Sequence, residues 1–196
     1  PNSQMDDDSA PTADDYAREC AKAIKDEAAR LDFPLPKLRL EPGRALSGPA
    51  GVAVGTVGAV KTGDTKKWVN LDLSTNHISW AAILDWYYHA LPVRNAGAEG
   101  TETVDLVGPL CNSDELGRHR KMPPLQRGDF VAFLDTGGYC ESSAARYNAQ
   151  RLPATVLVTG DTADVISDRE EFRDAAGRFR VPPHLLAGSF APQAGE

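Results

Sequence analysis

The sequence predicts a mainly β fold, an antiparallel β-sandwich or Greek-key barrel with one small α/β piece ahead of it. Three observations predict it. A single segment near the N-terminus repeats apolar residues at helical spacing. Seven or eight apolar, β-branched runs bounded by glycine or proline follow that segment. Glycine and proline contribute 17 and 14 of the 196 residues, a share that is typical of a chain with many turns.

The composition argues against several classes of protein. Lysine and arginine number 21 against 28 acidic residues, a formal net charge of −7, which disfavours nucleic-acid binding through phosphates. The longest apolar run is far shorter than the roughly 20 residues that cross a bilayer, so no membrane partner is expected. Three widely spaced cysteines without a signal peptide indicate a reducing, cytoplasmic location. The histidines and cysteines lack the spacing of metal ligands, so no metal site is expected.

The N-terminal piece is predicted as an arm, a helix and a strand. Residues 1–13 show no periodicity and indicate a flexible arm. Thr12 and Asp15 have the spacing of a capping box, which predicts a helix over 14–31. The helix has an apolar face formed by Tyr16, Cys20, Ile24, Ala28 and Leu31. Alternating apolar residues over 37–40 then predict a short strand.

The rest of the chain predicts strands separated by turns. Runs at 52–60 and 68–73 flank the turn Thr62-Gly63-Asp64 and predict a hairpin. Residues 77–93 fit both periodicities, and we interpret them as a strand with a short helical turn. Further strands are predicted at 104–110, 129–134 and 154–159, and the segment 165–181 is predicted to hold one more strand and a helical turn around 169–176.

Three segments carry residues suited to chemistry. Glu41-Pro42-Gly43-Arg44 ends a predicted strand, where Arg44 could bind an anion through two N–H groups. Cys111 lies in a glycine- and proline-containing turn beside a carboxylate. Tyr139 follows paired glycines directly after a strand. Each has a plain structural alternative: a surface ion pair for the first, a packing thiol for Cys111 and a half-buried anchor for Tyr139.

Four motifs together resemble a known family. EPGR at 41–44, GPLCNSDE at 108–115, GDFVAFLDTGGY at 128–139 and YNAQRLPATVLV at 147–158 occur in the order and near the spacing found in pyridoxal-phosphate-dependent decarboxylases of the alanine-racemase fold type. This family contains diaminopimelate, ornithine and arginine decarboxylases, and the resemblance covers about residues 14–181. It implies a carbon–carbon lyase that uses pyridoxal 5'-phosphate.

The resemblance also implies domains and residue roles. Residues 14–44 would be the last helix and strand of a (β/α)8 barrel, and 45–196 the C-terminal β-domain. Cys111 would cross a dimer interface and return a proton to the substrate carbon after carbon dioxide leaves. The cofactor would contact Glu41 at its pyridinium nitrogen, Tyr139 at its phosphate, and also Gly43 and Arg44, where Arg44 would face the phosphate or the substrate. The substrate would contact Asn112, Asp114, Tyr147 and Asn148.

Three departures from the family pattern qualify this prediction. Diaminopimelate decarboxylases place a glutamate where this chain has Asn112, and an arginine within the region matching 81–88, where this chain has none. A substrate other than diaminopimelate is therefore expected, and the aromatic residues Trp80, Trp86 and Tyr87 favour a more apolar pocket. In the family, the cofactor lysine, the substrate-side histidine and the glycine-rich loop lie upstream of the matching region. This sequence contains none of the three.

Because this sequence lacks the cofactor lysine, a partner that supplies it is expected. The chain is predicted to complete its active site with a separate or cleaved N-terminal barrel polypeptide that carries the lysine. The assembly would be a homodimer or a heterodimer of dimers acting on an amino acid. The alternative is a non-catalytic, regulatory homologue. A racemase is disfavoured, because racemases of this fold lack the segment that contains Cys111.

Overall fold

The computed structural model describes residues 11–186, which divide into two compact units after Ser143. Helix α1 spans Ala13–Arg30, and its capping box forms as predicted. Thr12 Oγ1 accepts the Asp15 N–H at 3.2 Å, and Asp15 Oδ2 accepts the Thr12 N–H at 3.0 Å. Most of the predicted arm lies outside the described residues. No helix within 11–186 has the length and hydropathy needed to cross a membrane.

The predicted strand at 37–40 does not form within residues 11–186. Residues 33–42 form neither helix nor strand, and no other described segment pairs with them. A strand requires a neighbour to accept and donate its backbone hydrogen bonds, and here none is present. The apolar side chains of this region are largely exposed, namely Leu31, Phe33, Leu35, Leu38 and Leu40. The short helix α2, Arg44–Ser47, and a 3-10 turn at Gly48–Ala50 lead into the sheet.

The first unit is built on one six-stranded sheet, which confirms the mainly β prediction. Its strands are β1 (Ala53–Thr62), β2 (Lys67–Leu71), β3 (Ala90–Pro92), β4 (Glu102–Val107), β5 (Glu115–Met122) and β6 (Phe130–Phe133). Their order is β3-β6-β1-β2-β4-β5. Every pair is antiparallel except β2 with β4. The edge strands β3 and β5 also contact each other, so the sheet nearly closes on itself.

The predicted hairpin, most predicted strands and the strand with a short helical turn at 77–93 are confirmed, but one strand was not predicted. Strands β1 and β2 pair around a turn in which the Gly63 N–H donates to Lys66 O at 2.8 Å. Strand β5 was not predicted, because its charged residues hide the alternation of its buried side chains. Residues 77–93 contain the helix α3 (Ser79–Ile83) before the short strand β3.

The core fills the inside of this sheet with apolar side chains from every strand. The largest fully buried members are Tyr88, Phe133, Ile78, Leu106, Leu116, Met122, Val57, Val69, Val104 and Val131. Burying each of the larger ones stabilises the fold by about 1.5–3 kcal/mol before conformational entropy is counted. This packing fixes the sheet, and the sheet in turn determines the positions of the loops at its ends.

The second unit begins after Ser143, and its described part, up to residue 186, contains one hairpin. Strand β7 (Thr155–Thr159) pairs with β8 (Thr162–Ser167) around Gly160, whose φ of +57° suits glycine. Helices α4 (Phe172–Ala176) and α5 (Pro183–Leu186) follow. The predicted strand at 154–159 and the helical turn around 169–176 are therefore confirmed, whereas the later strand, predicted within 165–181, begins earlier, at Thr162. Glu170 joins the parts of this unit by accepting hydrogen bonds from Arg146 and from the Leu152 N–H.

Candidate functional site

Strand register brings two of the three predicted segments together. Ala53 of β1 pairs with Phe133 of β6, so the residues before β1 lie beside those after β6. The Thr136 N–H donates to Gly51 O and the Gly137 N–H donates to Gly48 O, each at 3.0 Å. A Cβ on Gly51 or Gly137 would collide with the opposite main chain. Glycines therefore allow the loop at 47–51 and the loop at 135–139 to pack backbone against backbone.

Arg44 occupies the centre of this junction. Its guanidinium carbon lies 4.1 Å from the centroid of the Trp86 ring and 5.4 Å from that of Tyr88. Gly138 packs against its aliphatic part, since a Cβ there would lie 3.1 Å from Arg44 Cγ. Gly43, with φ of +45°, has its Cβ position 3.4 Å from the Tyr139 hydroxyl. Gly43, Arg44 and Tyr139 are therefore neighbours, as they need to be if they are to contact one ligand.

Aromatic rings form the wall of this cluster. The Trp80 and Trp86 rings stack with centroids 5.0 Å apart, and Tyr139 packs against both at 5.4 and 6.0 Å. Tyr139 has φ of +68° and remains 45% exposed, so its hydroxyl can reach a ligand. The Trp80 Nε1–H is buried and donates to nothing within residues 11–186. Of the three aromatic residues expected in the pocket, Tyr87 lies elsewhere and stacks under Arg120.

Tyr88 and Cys140 support the cluster from beneath, and neither was predicted as a site residue. Both side chains are buried, and the Cys140 thiol donates to the Tyr88 hydroxyl at 3.6 Å. Burial raises the pKa of Tyr88 well above its usual range, and the neighbouring thiol adds to the shift. Burial likewise raises the pKa of Cys140. Both groups therefore stay protonated and neutral, which suits a packing and hydrogen-bonding role. The density of aromatic residues at 80–88 was the sequence signal for Tyr88, and no local signal pointed to Cys140.

Cys111 and Asn112 lie exposed in the loop between β4 and β5. Asp114 shapes this loop from inside: its carboxylate accepts the Leu110 N–H at 2.9 Å and both the N–H and hydroxyl of Thr75 at 2.7 Å. Asp114 is 4% exposed. These hydrogen bonds give Asp114 a structural role in holding the loop, and its predicted contact with a substrate remains a prediction.

One segment connects the Cys111 loop with the aromatic cluster. Thr75 binds the carboxylate that shapes the Cys111 loop, and five residues later Trp80 stacks on Trp86. Between them, the Ser79 hydroxyl lies 2.7 Å from that of Ser143. The segment 75–80 thus contacts both parts of the site: the Cys111 loop through Thr75 and the aromatic cluster through Trp80.

The remaining predicted site residues are exposed. Glu41 precedes Gly43 by two residues at the end of the irregular segment. Tyr147 and Asn148 belong to the second unit, in the 3-10 turn Tyr147–Ala149, where Asn148 has φ of +57°. Their predicted contacts with a substrate remain predictions. Among residues 11–186, no group of three or more histidine, cysteine or acidic side chains could hold a metal ion.

The chemistry of the cluster fits the phosphate end of pyridoxal phosphate. Arg44 presents a guanidinium, the group that binds phosphate through two N–H donors, and the Tyr139 hydroxyl adds a third donor. Gly43 lies between them and has no side chain to obstruct a ligand. Glu41, close in sequence, can accept a hydrogen bond from a protonated ring nitrogen. The donor set therefore suits a phosphate joined to a basic ring.

Comparison with known proteins agrees with this chemistry. Residues 12–137 match the family described as pyridoxal-dependent decarboxylase, C-terminal sheet domain. A diaminopimelate decarboxylase from Archaeoglobus fulgidus is 36% identical over 178 residues, covering 90% of this chain and 42% of the relative. One from Methanocaldococcus jannaschii is 36% identical over 153 residues, covering 78% of this chain and 34% of the relative.

Solved structures share the fold as well. The M. jannaschii diaminopimelate decarboxylase in complex with L-lysine superposes with a TM-score of 0.83 at 33% identity, covering 93% of this chain and 41% of that one. A lysine decarboxylase from Selenomonas ruminantium gives 0.54 at 31% identity, covering 67% and 34%. The chain spans about two fifths of the length of the first of these curated relatives. By sequence and by structure, it belongs to the pyridoxal-dependent decarboxylases and corresponds to their C-terminal sheet domain.

Proposed function

We propose that this chain is the C-terminal portion of a pyridoxal-phosphate-dependent amino-acid decarboxylase and completes its active site with a lysine-bearing barrel polypeptide, separate or cleaved. The observation that carries the proposal is the cluster of Gly43, Arg44 and Tyr139, which glycine packing and aromatic rings hold together at one end of the sheet. A surface ion pair, the plain alternative for Arg44, would need neither the rings nor the glycines around it.

Each predicted contact has a chemical purpose. Pyridoxal phosphate, when bound, accepts the electron pair that a substrate carbon retains as carbon dioxide leaves. Arg44 and Tyr139 would hold the phosphate through N–H and O–H donors. Glu41 would accept a hydrogen bond from the pyridinium N–H and so keep that nitrogen protonated. Tyr147 and Asn148 would contact the substrate.

Cys111 would act as the catalytic acid. The bond from the substrate Cα to its carboxylate breaks, carbon dioxide leaves, and Cys111 Sγ–H gives its proton to Cα. The thiolate then recovers a proton from water. The exposure of Cys111 in a loop braced by Asp114 supports this role, because the thiol can approach a site on a second polypeptide.

The exposed apolar residues before Glu41 support a barrel partner. Phe33, Leu35, Leu38 and Leu40 are each between 41% and 64% exposed, whereas proteins normally cover a run of this kind. We propose that residues 14–44 join the barrel as its last helix and strand and that 45–196 form the β-domain. The strand at 37–40 would then form when a barrel strand pairs with it.

The substrate is proposed to differ from diaminopimelate at its distal end. Asn112, next to Cys111, is neutral and lacks the carboxylate that would bind a distal ammonium, an interaction commonly worth about 1.5–3 kcal/mol. The names of the relatives make diaminopimelate the reference substrate in any assay. Lysine, ornithine and arginine complete the necessary panel.

Mixing this chain with the lysine-bearing barrel tests the proposal. The mixture is expected to bind pyridoxal phosphate, with its visible absorbance, and to release carbon dioxide from one member of the panel. Cys111→Ala should retain the absorbance and lose most of the turnover, with Cys20→Ala as the matched control. Absence of both cofactor absorbance and carbon dioxide release would contradict the proposal and favour the regulatory homologue.

A further inference from the structure

We infer that Trp86 and Tyr88 are positioning residues that fix the direction of the Arg44 guanidinium. The inference depends on the proposed function only in taking Arg44 as the phosphate ligand. The rings themselves are not assigned contact with cofactor or substrate. Their effect passes through Arg44.

The geometry of the two rings supports this assignment. The guanidinium carbon of Arg44 lies over the Trp86 ring at 4.1 Å and over the Tyr88 ring at 5.4 Å. Both distances are within the approximately 6 Å over which a cation is attracted to the face of an aromatic ring. Two rings acting on one guanidinium restrict its rotation more than a single contact would.

Other residues hold each ring in place. Trp86 stacks on Trp80 at 5.0 Å with an interplanar angle of 26°. Tyr88 is fully buried and accepts a hydrogen bond from Cys140. Gly138 packs closely against the arginine stem, since a Cβ added at Gly138 would lie only 3.1 Å from Arg44 Cγ. The arginine therefore has a closely packed stem and ring neighbours that are themselves held in place.

This arrangement suits an anion-binding arginine in particular. Attraction to a ring involves the face of a guanidinium, whereas its five N–H donors point outward in the plane of the group. Stacking thus orders the side chain without using the donors that bind phosphate. Ordering an arginine before the ligand arrives removes much of the entropy that binding would otherwise cost.

A double-mutant cycle on the full chain tests the contact without any ligand. Trp86→Leu is measured by thermal unfolding in the parent and in an Arg44→Met background. We expect the loss in Tm to be about 2 °C smaller in the Arg44→Met background, the size expected of one cation–π contact in a chain of this length. Trp86→Phe, which keeps a ring, should retain part of this coupling if Trp86→Leu unfolds the chain.

Trp68 provides the matched control. It lies on β2 beside the turn at Gly63, at the other end of the β1–β2 hairpin. The loss in Tm from Trp68→Leu is expected to be the same in both backgrounds. Losses from Trp86→Leu and Trp86→Phe that are both independent of Arg44 would overturn the inference.

Inorganic phosphate provides a readout that packing alone would not change. By titration calorimetry, Trp86→Leu is expected to weaken phosphate binding to the chain about threefold, and Trp86→Phe less. Unchanged phosphate affinity in Trp86→Leu would also overturn the inference. If phosphate does not bind the parent but the cycle shows coupling, the positioning of Arg44 stands and the proposed phosphate contact fails.

Discussion

Gly51 and Gly137 lie main chain against main chain, and a side chain on either would collide with the other's loop. The two hydrogen bonds beside them, Thr136 N–H to Gly51 O and Gly137 N–H to Gly48 O, are the joint between the loop that follows Arg44 and the loop that carries Tyr139. The placement of Arg44 beside Tyr139 thus depends on two glycines in the loops that carry them.

Gly137→Ala is expected to destabilise the fold by about 2–3 kcal/mol, because a Cβ in a closed space forces the backbone to move. Its added methyl would also separate Arg44 from Tyr139. Gly97→Ala is the matched control, since nothing lies within 4 Å of its Cβ position. Chemical denaturation checks this prediction, and equal stability of the two variants would contradict it.

Asp114→Asn is expected to destabilise the fold by about 1–3 kcal/mol and to loosen the Cys111 loop. The aspartate oxygens accept three hydrogen bonds, from Thr75 and Leu110. The NH₂ group of an asparagine would face one or more of these donors and could not accept their hydrogen bonds. Glu115→Gln, in a surface pair with Arg118, should change stability by less than about 0.5 kcal/mol. Denaturation and limited proteolysis at the loop measure the effect, and a fully stable Asp114→Asn would refute it.

Acid should weaken the fold partly through Asp105. Burial alone would raise the pKa of this carboxyl, but the His119 N–H at 2.7 Å and the Lys66 ammonium at 3.0 Å outweigh burial and hold it below the ordinary 3.8. A folded pKa below the unfolded one gives stability that is present above 3.8 and is lost as the pH falls through the folded value. Asp105→Asn should therefore flatten the acid side of the plot of Tm against pH. An acid side as steep as the parent's would count against this account.

The thiols of Cys111 and Cys140 should differ in reactivity. Cys111 is exposed, whereas Cys140 is buried and its pKa is raised by that burial, which lowers its thiolate fraction. Alkylation of the native chain is expected to modify Cys111 first and Cys140 only after denaturant is added. Mass spectrometry of the peptides identifies the order. Rapid native modification of Cys140 would mean that the region beneath Tyr88 opens readily.

Asn112→Glu should raise turnover of diaminopimelate in the assembly with the barrel. A glutamate restores a charge that can bind a distal ammonium, with an expected gain of about tenfold or more in kcat/KM. Asn112→Gln has the same length without the charge and should give no such gain. No difference between the two variants would show that residue 112 does not face the distal group.

Local patterns in the sequence predicted the elements that depend on neighbours close in the chain. The capping box at Thr12 and Asp15 and the hairpin around Gly63 are formed by residues a few positions apart. The predicted strand at 37–40 does not form within residues 11–186, because no described segment supplies the pairing partner that its alternating residues would need. Strand β5 was missed because Arg120 points inward and stacks on Tyr87, where sequence patterns lead one to expect an apolar residue.

The site was predictable in its motifs but not in its supports. EPGR and DTGGY could be selected from the sequence, and β1–β6 pairing then placed them together. The role of Asp114 depends on Thr75, which is 39 residues away, and no local pattern links the two. Trp86 and Tyr88 contact Arg44 only because of the three-dimensional fold, so this contact could not be predicted from the sequence.

The residues that form the cluster around Arg44 are far apart in the sequence, and several of them lie late in it. Arg44, Trp86 and Tyr139 span nearly a hundred positions, and contacts of such long sequence separation close large loops and form slowly. During synthesis, Arg44 is made long before Gly137 and Gly138, whose loop packs against it. Any barrel that engages residues 31–40 early would therefore meet a chain in which the cluster of Arg44, Trp86 and Tyr139 has not yet formed. Assembly and site formation would then be completed together, once β6 has docked.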